Sequence, residues 1–168
     1  MPPRRLLLVR HAKAAHGQPD ADRPLTGRGE RQATALGAWL EQAGLVPDRV
    51  LVSPARRAAQ TWDVAAAPLV PAPRPIVDER IYDNTVEALL EAIQETGDDV
   101  RTLAVVGHNP SIGELAAVLD DGEGNPDARR DVDAGFPTAG VAVFDLATPF
   151  EAIAPGEARL SAFTRPHG

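Results

Sequence analysis

The stretch Leu6-Leu7-Leu8-Val9-Arg10-His11 is an apolar run of strand length that ends in an arginine and a histidine. The same pattern returns much later in the chain, at Leu103-Ala104-Val105-Val106-Gly107-His108. Parallel strands of an α/β sheet release their carboxyl ends into one crevice, so histidines at two such ends can meet across a site. The repeated pattern therefore predicts an α/β fold with both imidazoles at one edge of its sheet.

A third apolar run, Val50-Leu51-Val52, ends in Ser53-Pro54, and Arg56 and Arg57 follow in the first turns of the helix expected after it. Ser53-Pro54 and Asn109-Pro110 both place a side-chain acceptor before a proline. This order predicts that each helix starts there, with the acceptor as N-cap and the proline in the first helical position. Helix N-termini and guanidinium groups both attract anions, so this edge is predicted to bind phosphate.

Strand-like and helix-like segments alternate along the rest of the chain, which predicts a three-layer α/β/α sandwich with a mostly parallel central sheet. Apolar runs predict strands at 6–9, 50–52, 103–106 and 141–146, with shorter ones at 76–77 and 160–163. Helical periodicity predicts helices over 29–43, 55–66, 86–93 and 112–119, the first beginning near Thr26 and stopping at Gly44. The segment 120–135 is rich in Asp and Gly and is predicted to be a flexible, solvated loop.

Composition narrows the class of protein. A chain of 168 residues has room for one domain, which we expect to span 1–168. The absence of cysteine excludes the cysteine-dependent phosphatases. A net charge of −7 and a pI near 5.0 argue against binding to nucleic acid or to an anionic membrane. The first apolar run is too short for a signal peptide or a membrane span, so a cytoplasmic protein is expected.

The strand ends carry a recognisable set of motifs. The segments Arg10-His11, Ser53-Pro54-Ala55-Arg56-Arg57-Ala58-Ala59-Gln60-Thr61 and Gly107-His108-Asn109-Pro110 resemble the histidine phosphatase superfamily, also called phosphoglycerate mutase-like. Arg23-Pro24-Leu25-Thr26 and Phe136-Pro137-Thr138 are similar to its SixA-type phosphohistidine phosphatases. The resemblance covers nearly the whole chain and implies a phosphoglycerate mutase-like fold. Helix geometry leaves Arg56 and Arg57 equivalent, whereas the Arg-Ala-x-x-Thr pattern of the family selects Arg57.

The resemblance also implies roles. His11 would be the nucleophile and become phosphohistidine, while Arg10, Arg57 and His108 would hold the phosphate oxygens, with no metal and no cofactor. A neutral imidazole is a competent nucleophile near pH 7, so the second ring nitrogen of His11 is expected to donate to an acceptor such as a backbone carbonyl. His108 could carry a positive charge beside the phosphate. His16 and His167 lie in a polar loop and in the tail, and we interpret both as exposed residues outside the site.

A general acid must protonate the leaving group and later activate water. The segment Asp78-Glu79-Arg80-Ile81-Tyr82 resembles the one in which phosphoglycerate mutases carry their catalytic glutamate, which makes Glu79 the candidate. An exposed surface carboxylate is the alternative interpretation of Glu79. Asp20 and Asp22, in the loop after His11, are weaker candidates for the acid.

Three functions remain open: two phosphatases that differ in substrate, and a module without catalytic activity. The segment between Glu79 and His108 has room for one helix and one strand, so no bulky cap can enclose a small metabolite. An open site suits phosphohistidine on a protein, either a phosphotransfer domain or a phosphocarrier, and this is the leading hypothesis. The alternatives are a phosphatase of small phosphate monoesters or nucleotides, and a non-catalytic module that binds phosphorylated ligands. Dinucleotide and P-loop fingerprints are absent from the sequence, and a metal site is not favoured.

Overall fold

The structure is a computed structural model that describes residues 3–166; His167 lies outside them. The strands, in chain order, are β1 (Arg4–Arg10), β2 (Arg49–Val52), β3 (Ile76–Val77), β4 (Thr102–Gly107), β5 (Val141–Leu146) and β6 (Ala158–Thr164). The helices are α1 (Gly27–Ala43), α2 (Arg56–Ala66), α3 (Val86–Gln94), α4 (Ser111–Leu119) and α5 (Pro126–Asp133), with short 3₁₀ helices at Asp20–Asp22, Glu79–Asp83 and Phe150–Ala152.

The six strands form one sheet in the order β3-β2-β4-β1-β5-β6. The pairs β2–β3, β2–β4 and β1–β4 are parallel, whereas β5 is antiparallel to both β1 and β6. The prediction of a mostly parallel sheet is confirmed. In the register, Val106 of β4 faces Val9 on one side and Val52 on the other. The three strands that precede the candidate residues therefore end at the same level.

Helices cover both faces of the sheet, as the continuous apolar strands predict. On one face α1 and α2 pack over Leu7, Val9 and their neighbours in β2 and β4, with Trp62 fully buried between the layers. A Cβ at Gly37 would lie 2.2 Å from a carbonyl oxygen of α2, so this glycine permits the close approach of the two helices. On the other face α3 and α4 bury a second core over Leu6 and Leu8.

Two predicted helix starts are wrong by one or two positions. α2 begins at Arg56 with Ala55 as N-cap, because Ser53 continues the sheet and its amide donates to Val106 O at 3.1 Å. Pro54 therefore precedes the helix. α4 begins at Ser111, and Pro110 occupies the N-cap position. The Asn109 side chain still caps this helix, since its Oδ1 accepts from the amide of Gly113 at 3.2 Å.

The segment 120–135 is not a loop throughout, which corrects the prediction. It contains α5, which starts at Pro126 after the N-cap Asn125, whose Oδ1 accepts from Ala128 N at 3.0 Å. Only Ala128 of this helix is buried, so the sequence shows little apolar periodicity there. Within residues 3–166 no helix is both long and apolar enough to cross a bilayer.

Candidate active site

The two predicted histidines meet at the carboxyl edge of the sheet. The ring centroids of His11 and His108 lie 5.3 Å apart, with their planes tilted by 55°. Both side chains are buried, with 8% and 4% exposure, and Arg57 is buried to 7%. Burial, with a further contribution from the charges of Arg57 and Arg10, lowers the pKa of both imidazoles. We refer to Arg10, His11, Arg57 and His108 together as the floor of the site.

His11 is held by the main chain through its backbone amide and through one ring nitrogen. Its amide extends the β1–β4 ladder by donating to Gly107 O at 3.0 Å. Its Nδ1 lies 2.7 Å from Ala12 O, so Nδ1 carries the proton and donates to that carbonyl, as the sequence predicts. Burial, together with the charges of the nearby guanidinium groups, lowers the pKa of His11 to about 4 against the opposing effect of this hydrogen bond. At pH 7 the ring is neutral and Nε2 keeps its lone pair.

His108 is held through Nε2, whereas His11 is held through Nδ1. Its Nε2 lies 2.8 Å from Ser53 Oγ, and the same Oγ accepts from Ala55 N at 3.2 Å. Because Ser53 accepts from the amide, its hydroxyl can donate to Nε2, which favours the tautomer with a proton on Nδ1. Burial, with the nearby His11 and Arg57, lowers the pKa of His108 to about 3. In the free protein His108 is therefore a neutral N–H donor; its charge beside a bound phosphate stays a prediction.

The two arginines are oriented by carbonyl and carboxylate acceptors. Arg10 Nη1 donates to Phe136 O at 2.9 Å, which also accepts from Asn109 Nδ2. Arg57 donates from Nη1 to Asp20 O at 2.7 Å and from Nη2 to Asp20 Oδ2 at 3.2 Å. Arg56 is exposed, so the structure brings Arg57 to the site, in agreement with the family pattern.

Three nitrogen atoms of the floor are buried without a hydrogen-bond partner among residues 3–166: Arg10 Nε, Arg57 Nε and His108 Nδ1. An unpaired buried donor is costly, and native proteins seldom keep one without a reason. These three nitrogens, two from arginines and one from His108, are suited to an anionic ligand with several oxygens.

Thr61 ties the loop that follows His11 to the helix that carries Arg57. Its Oγ1 accepts from Ala12 N at 2.9 Å and donates to Arg57 O at 2.7 Å. The residue is fully buried. The threonine of the Arg-Ala-x-x-Thr pattern thus fixes α2 against the strand end of β1, a role that spacing alone does not reveal.

Asp20 and Tyr82 contact Arg57 and His108 of the floor, and Glu79 lies in the same 3₁₀ helix as Tyr82. We refer to these three residues as the rim. The Tyr82 hydroxyl donates to Asp20 Oδ2 in a short hydrogen bond, and its ring meets His108 edge-on, with centroids 5.7 Å apart. Glu79 lies in the same 3₁₀ helix as Tyr82 but is exposed, and it makes no hydrogen bond or ion pair with the described residues. Asp22 is also exposed and its carboxylate has no such partner within 3–166.

Asp20, a weaker candidate for the general acid in the sequence analysis, makes several contacts in the structure. Besides Arg57 and Tyr82, its carboxylate accepts from Arg23 Nη1 at 3.0 Å. The hydrogen bond from Tyr82, followed by those from the arginines, lowers the pKa of Asp20 to about 2. Sequence reasoning missed Tyr82 and assigned Ser53 only a capping role. The available signals were a hydroxyl at a strand end and a tyrosine three residues after Glu79.

Comparison with known families gives one match that spans most of the chain. The family model for branch 1 of the histidine phosphatase superfamily matches residues 6–103, which include Arg10, His11 and Arg57. His108 lies just beyond the matched stretch. The motifs that the sequence analysis singled out are therefore largely those inside the family match.

Known relatives and solved structures agree with this match. The uncharacterized protein Rv1276c of Mycobacterium tuberculosis is 40% identical over 161 residues, which are 94% of this chain and 99% of that protein. The phosphohistidine phosphatase SixA of Escherichia coli is 32% identical over 130 residues, covering 72% of this chain and 77% of SixA. A structure from Nakamurella multipartitia, provisionally named a SixA, superposes with a TM-score of 0.85 at 29% identity, covering 97% of this chain and 96% of the other.

Proposed function

The chain belongs to branch 1 of the histidine phosphatase superfamily, and on that premise we propose that it removes the phosphoryl group from phosphohistidine carried by a protein. The observation that carries the proposal is the floor of the site. The ring centroids of two neutral imidazoles lie 5.3 Å apart, and three buried nitrogens, one in each of His108, Arg10 and Arg57, have no partner within residues 3–166. A phosphoryl group would supply the missing acceptors.

His11 is the proposed nucleophile. With Nδ1 donating to Ala12 O, the lone pair on Nε2 attacks phosphorus while the bond between phosphorus and the substrate nitrogen breaks. The pKa of about 4 keeps this lone pair free of a proton throughout the neutral range. As positive charge develops on His11, the carbonyl of Ala12 stabilises the Nδ1 proton. The product of this step is phosphohistidine at residue 11.

Arg10, Arg57 and His108 are the proposed ligands of the phosphoryl oxygens. The two Nε–H groups and the His108 Nδ1–H supply donors, and the two guanidinium charges offset the charge spread over the oxygens during transfer. Phe136 O and Ser53 Oγ already hold Arg10 and His108 in place. Pre-oriented donors in a buried site are effective because water does not compete for them.

The leaving group and the second step need a proton carrier, for which Glu79 is the proposed residue. It gives a proton to the departing imidazole and then accepts one from the water that attacks phosphohistidine 11, releasing inorganic phosphate and restoring His11. Glu79 is exposed on the 3₁₀ helix that follows β3. An exposed carboxylate exchanges protons readily with solvent and with a substrate that covers it.

The open rim favours a phosphoryl group on a protein over a small metabolite. Between Glu79 and His108 the chain forms only the end of a 3₁₀ helix, the nine-residue α3 and strand β4. These elements leave no segment to fold over the floor and enclose a metabolite. A protein surface could itself cover the site and exclude bulk water during transfer.

The substrate assignment is tested by comparing kcat/KM on a chemically phosphorylated histidine phosphocarrier protein with kcat/KM on a panel of phosphate monoesters and nucleotides. We expect the phosphoprotein to be preferred by at least about a hundredfold. A preference for a metabolite would favour the small-molecule phosphatase instead. Absence of turnover on every donor would favour the non-catalytic binding module.

The intermediate is tested separately by rapid acid-free quenching with ³²P-labelled phosphoprotein. Wild type should retain base-stable, acid-labile label, whereas His11→Ala should retain none and should lose turnover. His16→Ala is the matched control, because His16 is exposed and lies in the loop outside the floor. Label that survives in His11→Ala would contradict the proposed nucleophile.

A further inference from the structure

Asp20 makes contacts that the proposed chemistry does not use. It lies in the 3₁₀ helix Asp20–Asp22, and its carboxylate is half exposed, at 52%. Nevertheless it accepts two hydrogen bonds from the buried Arg57, one through its carbonyl and one through Oδ2. It also accepts from Tyr82, whose ring contacts His108. One exposed acidic residue thus contacts the floor residue Arg57 directly and is linked to His108 through Tyr82.

The chemistry of the guanidinium group shows what these contacts do. Its five N–H donors lie in one plane, so acceptors on one edge determine which donors remain for another ligand. Asp20 engages the two Nη atoms, and the Nε–H of Arg57 stays buried and unpaired within the described chain. The remaining donors form the fork between Nε and the adjacent Nη, which matches two oxygens of a phosphoryl group.

We propose that Asp20 is a positioning residue: it holds Arg57 by its two Nη atoms so that the Nε side stays available to the phosphoryl group, and Tyr82 holds Asp20. This inference rests on the proposed role of Arg57 in phosphate binding. It assigns no proton transfer to Asp20. The carboxylate is ionised throughout the neutral range, because its pKa is lowered to about 2.

A competing role for Asp20 predicts the opposite sign. A carboxylate beside an anion site repels the ligand and can occupy the arginine that the ligand needs. If Asp20 acted only as such a competitor, its neutralisation would strengthen phosphate binding. If it positions Arg57, its neutralisation weakens phosphate binding although a negative charge has been removed. The direction of the change therefore decides between the two roles.

The test measures the dissociation constant of inorganic phosphate by titration calorimetry at pH 7.5. Asp20→Ala should weaken binding by about tenfold and Asp20→Asn, which keeps one side-chain oxygen acceptor but loses the charge, by about threefold. Asp22→Asn is the matched control, since Asp22 lies in the same 3₁₀ helix, is exposed and has no side-chain partner among residues 3–166. It should leave phosphate binding unchanged. Tighter or unchanged binding in both Asp20 variants would overturn the proposal.

Double variants test whether Asp20 affects phosphate binding through Arg57. In an Arg57→Ala background, Asp20→Ala should have no further effect on phosphate binding. Likewise Tyr82→Phe, which removes one donor to Asp20 but keeps the ring beside His108, should weaken binding about twofold in wild type and not at all with Asp20→Ala. A full additional loss in the Arg57→Ala background would mean that Asp20 acts on phosphate by another route, and it would reject the positioning role.

The same titrations separate this inference from the proposed function. If Arg57→Ala binds phosphate as tightly as wild type does, the proposed phosphate site itself fails. If Arg57→Ala weakens binding but the Asp20 variants do not, only the positioning role fails. Circular dichroism of each variant confirms that the fold is retained, and Asp20→Asn keeps the side-chain shape should Asp20→Ala not fold.

Discussion

The floor and the rim of the site obtain their electrostatic properties in different ways. The floor residues His11, Arg57 and His108 have at most 8% exposure and follow strands β1, β2 and β4. The rim residues are exposed and lie in two short 3₁₀ helices. For both floor histidines burial is the largest cause of the lowered pKa, whereas for Asp20 the largest cause is one hydrogen bond from Tyr82.

This difference determines what mutations can change. A property set by burial depends on the packed strand ends and persists when single partners are removed. A property set by one hydrogen bond between exposed groups disappears with either partner and is weakened by competing water. Variants in the floor should therefore change catalysis and stability strongly, and variants in the rim should tune them. The predictions below test this distinction.

Among the phosphate-binding residues of the floor, the largest effect is expected for Arg57, which has an adjacent arginine as its natural control. Arg57→Ala removes a buried, pre-oriented guanidinium and should lower kcat/KM by about a hundredfold to a thousandfold. Arg56→Ala removes an exposed arginine of the same helical turn and should remain within about twofold of wild type. Steady-state kinetics on the phosphoprotein measure both. Equal losses in the two variants would show that general positive charge, not the floor geometry, binds the substrate.

The next effect is on stability and follows from the lowered pKa values of the two floor histidines. In the unfolded chain each histidine titrates near 6.5, whereas in the fold His11 titrates near 4 and His108 near 3. Between these values the unfolded state binds more protons, so the free energy of unfolding falls as the pH falls. The expected loss from pH 7.5 to pH 5 is about 2 kcal/mol per histidine, about thirtyfold in the folding equilibrium.

Urea unfolding at several pH values measures this loss, and histidine variants assign it. His11→Gln and His108→Gln should each remove about half of the pH dependence in this range. His16→Gln should retain all of it, because His16 is exposed. If stability stayed constant between pH 7.5 and pH 5, the floor histidines would titrate as solvated residues, and burial would not control them.

The same division explains what could be predicted from sequence. Apolar runs locate β1, β2 and β4, and parallel pairing then brings Arg10, His11 and His108 together, so most of the floor follows from strand positions. Rim contacts depend on how short 3₁₀ helices settle on the surface, which no periodicity encodes. Tyr82 and the partners of Asp20 were therefore missed. α5 was missed for a similar reason, since it buries only Ala128.

The choice between Arg56 and Arg57 shows where a family pattern added to physical reasoning. Both lie within one turn of Ser53, and helix geometry gives no preference. In the structure Arg57 is buried against Asp20 and Arg56 is exposed. The deciding contact is made by a residue outside the helix, in a loop distant in sequence. Local spacing could not have contained that information.

The smallest effect on turnover of the phosphoprotein is expected for Glu79, the rim residue proposed as the proton carrier. Glu79→Gln should lower kcat on the phosphoprotein by less than about tenfold, because an imidazole leaving group needs less protonation than an alkoxide. On a phosphate monoester of an aliphatic alcohol the same variant should lose more, about a hundredfold. Glu87→Gln, an exposed glutamate of α3, is the control and should alter neither rate.

A loss that is equal on both substrates would argue against proton donation by Glu79, because only the demand for a proton differs between them. A loss on the phosphoprotein as large as that of Arg57→Ala would show that exposed rim groups can matter as much as the buried floor, and the distinction drawn here would fail.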